Sequence, residues 1–309
     1  MRNARFFCEA VKGAAEEQGI VTTFYSDDWI CLLEKGGERR LLYGYNFPLN
    51  PASSVDIARD KAATSSILGG AGIPSVNHRL FIGPGTPHGR EEGNFSAIFR
   101  MLNSGQIVCK PNEGTGGNMV FRVSSAREAE AALTRIWRSS RAAAVCEYLE
   151  IGDEFRCFFL GGKVPIVYRK RRPFIIGNGQ DSVLSRACAE FGDSAALELL
   201  AASEEGNRWS HIPAHGERYD ITWKHNLGKG AVAELLYGEA SAPLVSLAMR
   251  AAGALGLSVC SVDIVLVDGN LIVMEINSGI MMEKLAASGD EARALALDFF
   301  RAALTSIFE

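Results

Sequence analysis

The strongest constraint on the fold is a pair of apolar runs near the C-terminus that carry acids at fixed spacing. Residues 261–267 and 271–276 are rich in Val, Ile and Leu, and a short turn sequence with a glycine separates them, as in a β-hairpin. Because side chains alternate along a strand, Glu275 and Asn277 share one face. Acids on otherwise apolar strands need a compensating partner, so this hairpin predicts a functional position.

The register of the hairpin decides whether a third residue joins them. If the turn has three residues (268–270), Asp263 falls directly opposite Glu275, whereas a two-residue turn puts the two acids on opposite faces. Carboxylates brought together repel unless a cation compensates them. Two acids and an amide oxygen are hard ligands that suit Mg²⁺ holding a polyphosphate. The alternative is an exposed hairpin with scattered acids.

Composition limits the function classes. The chain has 309 residues, 47% hydrophobic and 22% charged, which fits about two folded domains at roughly 150 residues each. A net charge of −4 argues against a general nucleic-acid binder, and no apolar run approaches the roughly 18 residues of a membrane span or resembles a signal peptide. The seven cysteines show no C-x-x-C or zinc spacing and read as reduced thiols, so we expect a soluble cytoplasmic protein.

A glycine-rich segment follows a lysine in the first half of the chain. Lys110 precedes three glycines within residues 114–117. Glycines let backbone N–H groups approach an anion closely, and the lysine supplies a charge for phosphate. The segment is not a Walker A loop, since no Gly-Lys-Ser/Thr follows, nor a dinucleotide fingerprint, since it leads into a strand. A hairpin with a glycine-rich turn is the alternative.

Residues 146–156 combine charged and aromatic side chains. In a strand that starts at Glu154, that residue and Arg156 share one face, while Phe155 and Cys157 share the other. The charged face meets either a ligand or solvent, and an edge strand with solvated charges is the alternative.

Two further segments are rich in positive charge. Residues 223–230 contain two lysines, an asparagine and two glycines, which favours an anion, with a flexible surface loop as the alternative. The run 169–172 is fully basic and could hold an acidic substrate, although charge runs are usually solvated faces.

The order of these motifs resembles the ATP-grasp superfamily. Within it, the chain looks closest to the ribosomal-protein glutamate ligases and to the ATP-grasp parts of cyanophycin synthetase and bifunctional glutathione synthetase. Residues 174–180 resemble the Val-Val-Gly-Asp-Gly stretch of the latter two, with Asn178 in place of the acid. The resemblance covers about residues 56–285. Its motifs run from Asp60-Lys61 through Lys110-Pro111, Gly116-Gly117, Glu147–Arg156 and Asn226–Gly230 to Asp263, Glu275 and Asn277.

The resemblance implies an α+β ATP-grasp fold in which two α+β subdomains clasp ATP after a short N-terminal α/β segment. The expected parts are a short N-terminal domain (1–55), a small lid subdomain with the glycine-rich loop (56–145), and a large subdomain with the metal site (146–309). Relatives are often dimers or tetramers, which leaves a homo-oligomer open.

The resemblance also implies which residues bind ATP. In the family, lysines contact the phosphates, a glycine-rich loop closes over the β- and γ-phosphates, and a hinge strand meets the adenine and ribose. The matching residues, in that order, are Lys61 and Lys110; Gly114, Thr115, Gly116 and Gly117; Glu147, Tyr148 and Glu150; and Glu154.

The implied cofactors are ATP and Mg²⁺, with two ions at the site and Mn²⁺ as a substitute. Asp263, Glu275 and Asn277 would hold the metal. Because two anions must approach each other in the reaction, the site also needs cations from the protein. The predicted catalytic cations are Lys110, Arg156, Lys224 and Lys229.

The implied activity is an ATP-dependent carboxylate–amine ligase that forms an amide or peptide bond through an acyl phosphate and releases ADP and phosphate. The expected partners are a small carboxylate and an amine, each an amino acid or peptide, with no nucleic acid and no membrane. An ATP-grasp kinase of a small-molecule hydroxyl and a non-catalytic ATP-binding regulatory protein are the alternatives. Ser261 replaces an arginine of D-alanine ligases, which counts against that subgroup, and the segment 278–283 lacks a common proline, which leaves the amine open.

Overall fold

The computed structural model describes residues 5–84, 94–114, 116–202 and 209–309. Helices account for 39% and strands for 28% of the described residues, and the chain divides into two compact units. The first unit comprises residues 1–167 and 235–309, and the second comprises residues 168–234. The predicted domain boundaries after residues 55 and 145 stay predictions.

The helices and strands of the described residues are numbered in chain order. The helices are α1 (Phe6–Glu17), α2 (Ala52–Arg59), α3 (Lys61–Gly70), α4 (Asn94–Ser104), α5 (Ala126–Trp137), α6 (Val183–Phe191), α7 (Asp193–Ala202), α8 (Ala242–Ala254), α9 (Glu283–Ala286) and α10 (Asp290–Phe308). The strands are β1 (Val21–Tyr25), β2 (Ile30–Lys35), β3 (Glu38–Tyr43), β4 (Arg79–Ile82), β5 (Ile107–Pro111), β6 (Phe121–Val123), β7 (Ala142–Glu147), β8 (Asp153–Leu160), β9 (Lys163–Arg171), β10 (Phe174–Ile176), β11 (Arg218–Asp220), β12 (Val232–Leu235), β13 (Val259–Val267) and β14 (Asn270–Asn277).

Three β-rich stretches within residues 20–43, separated by turn residues, predict short strands, and this N-terminal segment of the first unit is an antiparallel meander, β1-β2-β3. Helix α1 packs against α10, and an aromatic cluster fills the contact. The ring of Phe7 lies 5.4 Å from that of Phe300 and 5.8 Å from that of Phe47. Burial of these large apolar side chains holds the two ends of the chain together.

The glycine-rich loop starts from a four-stranded antiparallel sheet of order β4-β7-β5-β6. Helix α5 covers one face, and its Leu133 and Ile136 are fully buried. Ser124, Ser125 and Glu128 are spaced for a capping box on an Ala-rich helix, and that box forms, because Ser125 accepts a hydrogen bond from the Glu128 N–H (3.3 Å) and the Glu128 carboxylate accepts one from the Ser124 N–H (2.7 Å). The sequence predicts a return strand over residues 118–123, but β6 begins at Phe121, since left-handed residues precede it.

A second sheet has five strands in the order β12-β9-β8-β13-β14, with α8 packed on β8, β13 and β14. Phe155 and Cys157 lie on the apolar face of β8, as predicted, in one core with Val262 and Ile264 of β13. Strand β8 lies between two neighbours, so the edge-strand alternative is wrong.

The spacing of apolar residues predicts a single helix over residues 56–70; this prediction is wrong, because the chain forms two helices that meet at Asp60. This residue has an extended conformation (φ −86°, ψ 106°), and its carboxylate accepts a 2.8 Å hydrogen bond from the Ala63 N–H. Its side chain caps a new helix start better than it continues the old helix. Lys61 thereby becomes the first residue of α3.

The second unit contains the hairpin-like pair β10-β11 and the helices α6 and α7 around a small core of Ile175, Val183 and Ile221. The chain enters it along β9 and leaves along β12, which are neighbours in one sheet. At Gly177 a Cβ atom would lie 2.2 Å from the Ala214 carbonyl oxygen, so packing requires glycine there.

All seven cysteines are described and none forms a disulfide, in agreement with the predicted thiols. Among the described residues, no helix combines the length and apolar character needed to cross a membrane.

Candidate active site

The β13-β14 hairpin has a two-residue turn, so the predicted three-residue turn is wrong. Val267 pairs with Asn270, and the turn residues Asp268 (φ 48°) and Gly269 (φ 78°) both adopt the left-handed conformation. An Asp-Gly pair is the usual choice for such a turn, because its twist matches that of the strands. Taken alone, this turn would put the two acids on opposite faces.

A β-bulge restores the predicted pairing. Ile264 pairs with Val273, but Asp263 pairs with Glu275, so Met274 is an extra residue without a partner in the ladder. The bulge changes the alternation by one residue and brings Asp263 and Glu275 opposite each other. The predicted juxtaposition of the two acids is therefore confirmed, by a different route than the one expected.

Arg156 compensates the charge of Asp263. The two residues pair across β8 and β13, and the guanidinium binds the carboxylate with both Nε (2.7 Å to Oδ1) and Nη2 (2.6 Å to Oδ2). Asp263 is only 1% exposed. Loss of one partner from a buried pair costs about 3–5 kcal/mol, so Arg156 stabilises the acid where it lies.

Glu275 interacts with two polar residues besides those already described, Asn277 and Lys61. The Asn277 amide donates to the Glu275 carboxylate over 3.4 Å, and Glu275 attracts the ammonium of Lys61. Two carboxylates and an amide oxygen on adjoining strands form the donor set that Mg²⁺ prefers, so the residues present fit the metal. Within the described part of the chain, no three or more His, Cys, Asp or Glu residues are grouped so that they could hold a metal ion.

The glycine-rich loop begins at the end of the buried strand β5, where the Lys110 side chain is 8% exposed. Gly116 and Gly117 have φ values of 71° and 70°, which favour glycine. Thr115 lies outside the described residues. A Cβ atom at Gly116 would have no neighbour nearer than 3.9 Å, so packing within the fold does not explain the missing side chain.

Lys61 is buried against this loop. Its ammonium donates to the carbonyl oxygens of Gly114 (2.8 Å) and Asn112 (3.3 Å). Burial lowers the pKa of Lys61, the nearby Glu275 carboxylate opposes that shift, and Lys110 adds to it. The two predicted phosphate lysines are thus neighbours, but Lys61 is bound to the loop backbone.

His78 is a residue that sequence reasoning missed. It is 4% exposed, and its ring Nδ1 lies 3.1 Å from the Ser65 hydroxyl, which itself donates to the Val76 carbonyl. Nδ1 therefore carries the proton, and the buried Nε2 has no hydrogen-bond partner among the described residues. Burial and the positive charges of Lys110 and Lys61 lower the pKa of His78 to about 2. A lone histidine in no motif gives no sequence signal for this position.

The predicted adenine segment follows β7. Glu147 is exposed, and the Tyr148 hydroxyl donates to the Glu150 carboxylate over 3.1 Å. The guanidinium of Arg122, a residue not predicted for the site, lies 3.9 Å from the centre of the Tyr148 ring and fixes that ring by a cation–π contact. The predicted ribose ligand, Glu154, is buried on β8.

Lys224 and Lys229 lie in the second unit, and the other predicted site residues lie in the first. Lys224 is buried, whereas the side chain of Lys229 lies outside the described part of the structure. The neighbouring His225 is buried, and burial together with the charges of Arg172 and Lys170 lowers its pKa to about 3. Within this segment, residues 227–229 form a 3₁₀ turn.

The basic run 169–172 has acidic partners in the same unit. Arg171 binds Glu234, and Arg172 binds Asp220 over 2.7 Å. Part of this positive charge is therefore balanced within the second unit.

Comparison with known proteins agrees with the motif order. A family described as a RimK-like ATP-grasp domain matches residues 214–296. Cyanophycin synthetase from Nostoc sp. is 27% identical over 297 residues, which are 91% of this chain and 32% of that protein. A probable alpha-L-glutamate ligase from Aliivibrio salmonicida is 24% identical over 256 residues, 82% of this chain and 66% of that protein. The chain thus spans about a third of the first relative and about two thirds of the second.

Solved structures show the same fold. A bifunctional glutathione synthetase from Pasteurella multocida matches with a TM-score of 0.57 and 19% identity, over 96% of this chain and 44% of that chain. A D-alanine–D-alanine ligase from Bacillus anthracis matches with a TM-score of 0.55 and 17% identity, over 84% of this chain and 69% of that chain. The predicted resemblance to the ATP-grasp superfamily and the α+β ATP-grasp fold are confirmed. The relatives carry the names of ligases and synthetases, the predicted enzyme class.

Proposed function

We propose that this chain, with its ATP-grasp fold and its RimK-like match over residues 214–296, is an ATP-dependent carboxylate–amine ligase. One observation carries the proposal. Lys61, the first residue of α3, binds the Gly114 carbonyl of the glycine-rich loop (2.8 Å), and α3 packs on β14, the strand that carries Glu275. The parts that a triphosphate needs, hard oxygen ligands and a cationic loop, therefore adjoin within the first unit.

The reaction has two steps. A substrate carboxylate oxygen attacks the γ-phosphorus of ATP, the bond from that phosphorus to the bridging oxygen breaks, and ADP leaves. The amine nitrogen then attacks the carbonyl carbon of the acyl phosphate, the C–N bond forms, and phosphate leaves while the nitrogen loses a proton. Both steps bring negative groups together, so fixed positive charge accelerates them.

The residues of the first unit supply that charge and exclude water. Lys110 would neutralise a phosphate oxygen, and the N–H groups around Gly116 and Gly117 would bind others. Tyr148 and Glu150 would orient the base, and Glu154 would accept a hydrogen bond from the ribose. Closure of the loop would shield the acyl phosphate from hydrolysis. We include the second-unit residues Lys224 and Lys229 as further cations.

Asp263, Glu275 and Asn277 would hold Mg²⁺. When bound, the metal supplies positive charge for the β- and γ-phosphate oxygens. Arg156 has a positioning role toward Asp263, which its bidentate contact supports. The number of ions and replacement by Mn²⁺ belong to the proposal.

The relatives are named for glutamate ligation, cyanophycin synthesis and glutathione synthesis. On that basis we propose that the carboxylate and the amine come from amino acids or peptides. The retained thiols fit the reducing conditions of the cytoplasm, which we propose as the location.

A trapping assay tests the activity. The protein is incubated with ATP, Mg²⁺ and a panel of amino acids and short peptides, with hydroxylamine in place of the amine. We expect ADP, phosphate and a hydroxamate, which forms only from an activated carboxylate. AMP and diphosphate as products would contradict the acyl-phosphate route, phosphorylation of a hydroxyl would support the kinase alternative, and ATP binding without turnover would support the regulatory one.

A matched pair of variants tests the metal residues in the same assay. Glu275→Ala removes a proposed ligand, and we expect turnover to fall by at least about 10³-fold with the fold retained. Glu190→Ala, at an exposed position on α6, is the control and should leave turnover unchanged. Normal turnover in Glu275→Ala would remove the metal assignment.

A further inference from the structure

The link between the four-stranded and the five-stranded sheet begins at Tyr148. Residues 148–152 join β7 of the first sheet to β8 of the second. The Tyr148 N–H donates to the Gln106 carbonyl oxygen over 2.8 Å, and the Tyr148 hydroxyl donates to the Glu150 carboxylate over 3.1 Å. The start of the link is therefore tied to the residue that precedes β5 and to the link itself.

Arg122 covers one face of the Tyr148 ring. Its guanidinium carbon lies 3.9 Å from the centre of that ring, close enough for the planar group to stack on it. The Arg122 Nε donates to the side-chain oxygen of Gln106 over 2.8 Å. Gln106 therefore holds both partners, the tyrosine through its backbone and the arginine through its side chain.

This stack lies away from the end of β5 that carries the phosphate lysine. Arg122 of β6 pairs with Val108, and Tyr148 lies beside Gln106, just before β5 begins. Lys110 lies four residues beyond Gln106, which is about 13 Å along a strand. ATP spans a comparable length from its base to its outer phosphates. Tyr148 and Arg122 therefore lie on the side of the base when Lys110 meets the phosphates.

The contact is a surface contact. Tyr148 is half-buried, and Arg122, Gln106 and Glu150 are exposed. At an exposed site, a cation–π contact changes an equilibrium by about fivefold or less. Such a contact contributes little to the stability of the fold, but it restricts the positions that a half-buried ring can take. The arrangement therefore suits the placement of a binding group.

We propose that Arg122 is a positioning residue for the purine base of the nucleotide. It holds the Tyr148 ring, and through Tyr148 the start of the link 148–152, in the arrangement that meets the base. This role rests on the proposed function, because it requires that the site takes ATP, whereas the ligase reaction itself does not require Arg122. Arg122 acts through Tyr148 and does not contact the nucleotide.

Two ligands that differ in the base test this role by calorimetry on the full chain. ATP and inorganic tripolyphosphate, each with Mg²⁺, both carry three phosphates, but only ATP carries a base. In Arg122→Met we expect the Kd for ATP to rise about fivefold and the Kd for tripolyphosphate to stay unchanged. Arg127→Met, at an exposed arginine of α5, is the matched control and should change neither. Equal weakening of both ligands, or unchanged ATP binding in Arg122→Met, would overturn the proposal.

A double-mutant cycle tests whether Arg122 acts through Tyr148. Tyr148→Leu removes the ring, so Arg122→Met added to it should weaken ATP binding no further. Additive losses would contradict a positioning role. Arg122→Lys keeps the charge but not the planar group, so it should recover little of the ATP affinity. Full recovery in Arg122→Lys would show that a nearby charge is sufficient and that the stack is not needed.

Unfolding and turnover separate this role from a structural one and from the proposed function. Arg122→Met should have the same free energy of unfolding as Arg127→Met, and a clear loss of stability would show that Arg122 serves the fold instead. In the trapping assay, KM for ATP should rise about fivefold at unchanged kcat. A protein with the expected ATP affinities that forms no hydroxamate would refute only the ligase reaction. Turnover with an unchanged KM in Arg122→Met would refute only the positioning role.

Discussion

Two segments of the molecule combine glycines with lysines, and they use their glycines differently. In the turn 226–230, a Cβ atom on Gly230 (φ 92°) would lie 1.9 Å from Cδ2 of Leu199. In the loop 112–117, a Cβ atom on Gly116 (φ 71°) would meet nothing nearer than the Asn118 amide at 3.9 Å. Position 230 needs glycine because neighbouring atoms occupy the space, whereas position 116 has open space beside it among the described residues.

The contrast extends to how each segment is held. Asn226 fixes the turn locally, because its side-chain oxygen accepts a 2.7 Å hydrogen bond from the Gly228 N–H. The loop is held at its start by Lys61, from a helix 50 residues earlier in the chain. Glycine content alone therefore does not identify a ligand loop, and the space around the missing side chain separates the two cases.

The largest expected effect on stability tests the turn. Gly230→Ala places a methyl group against Leu199 at a positive φ, so we expect the free energy of unfolding to fall by about 2–4 kcal/mol. Denaturant unfolding followed by tryptophan fluorescence measures it. Leu199→Ala combined with Gly230→Ala should recover part of the combined loss, and a Gly230→Ala protein of normal stability would contradict the packing argument.

Each segment also has a buried neutral histidine near its cations, which gives a pH test. The pKa values of His78 (about 2) and His225 (about 3) lie below the ordinary value of about 6.5. Below pH 6.5 the unfolded chain therefore binds protons at these histidines, whereas the folded chain does not. The free energy of unfolding consequently falls as the pH falls. Between pH 7 and pH 5 we expect a loss of about 2 kcal/mol per histidine.

Variants assign that pH dependence. His78→Gln and His225→Gln should each reduce the loss of unfolding free energy between pH 7 and pH 5 by the contribution of one histidine, about 2 kcal/mol. Their absolute stability can change for other reasons, so the slope is the relevant quantity. If the slope of unfolding free energy against pH is unchanged in both variants, these histidines do not cause the pH dependence of stability.

Local patterns predicted much of the fold. The N-terminal strands, the capped helix α5, the apolar face of β8 and the closing hairpin follow from alternation, turn residues and capping residues. The pairing of Asp263 with Glu275 was also predicted, but the turn length behind it was not. The turn consists of only two residues, Asp268 and Gly269, and the bulge at Met274 shifts the register so that the two acids still pair. No local sequence pattern indicates that bulge.

The remaining features of the site depend on contacts distant in sequence. Lys61 reaches the glycine-rich loop only because Asp60 ends one helix and starts another, which apolar periodicity did not reveal. His78 and Arg122 became neighbours of Lys110 and Tyr148 through packing of strands and helices. Their residue types alone gave no reason to select them.

A smaller effect is expected from Gly116→Ala in the loop. The positive φ costs an alanine about 1 kcal/mol, and the open space beside it adds no clash, so global stability should change little. We expect kcat/KM for ATP to fall about tenfold, because a side chain there would hinder approach of the phosphates. Gly116→Ala should therefore lose activity while its stability stays near normal, whereas Gly230→Ala should lose stability. Full activity of Gly116→Ala would show that the phosphates do not bind at this part of the loop.

The smallest effect concerns the second unit, at Asn178. Its side-chain oxygen accepts from the Gln180 N–H (3.0 Å) and the Asp181 N–H (2.8 Å), and its amide donates to the Asp181 carboxylate (2.7 Å). Asn178→Asp keeps both acceptor bonds but turns the third contact into a repulsion between carboxylates. We expect a loss of less than about 1 kcal/mol, reduced at 0.5 M salt (a roughly 4–5 Å screening length) because the pair is exposed. Adding Asp181→Asn to the Asn178→Asp protein should remove the loss of stability. If the loss caused by Asn178→Asp changes neither with salt nor with Asp181→Asn, the turn needs the Asn178 amide for a reason other than this repulsion.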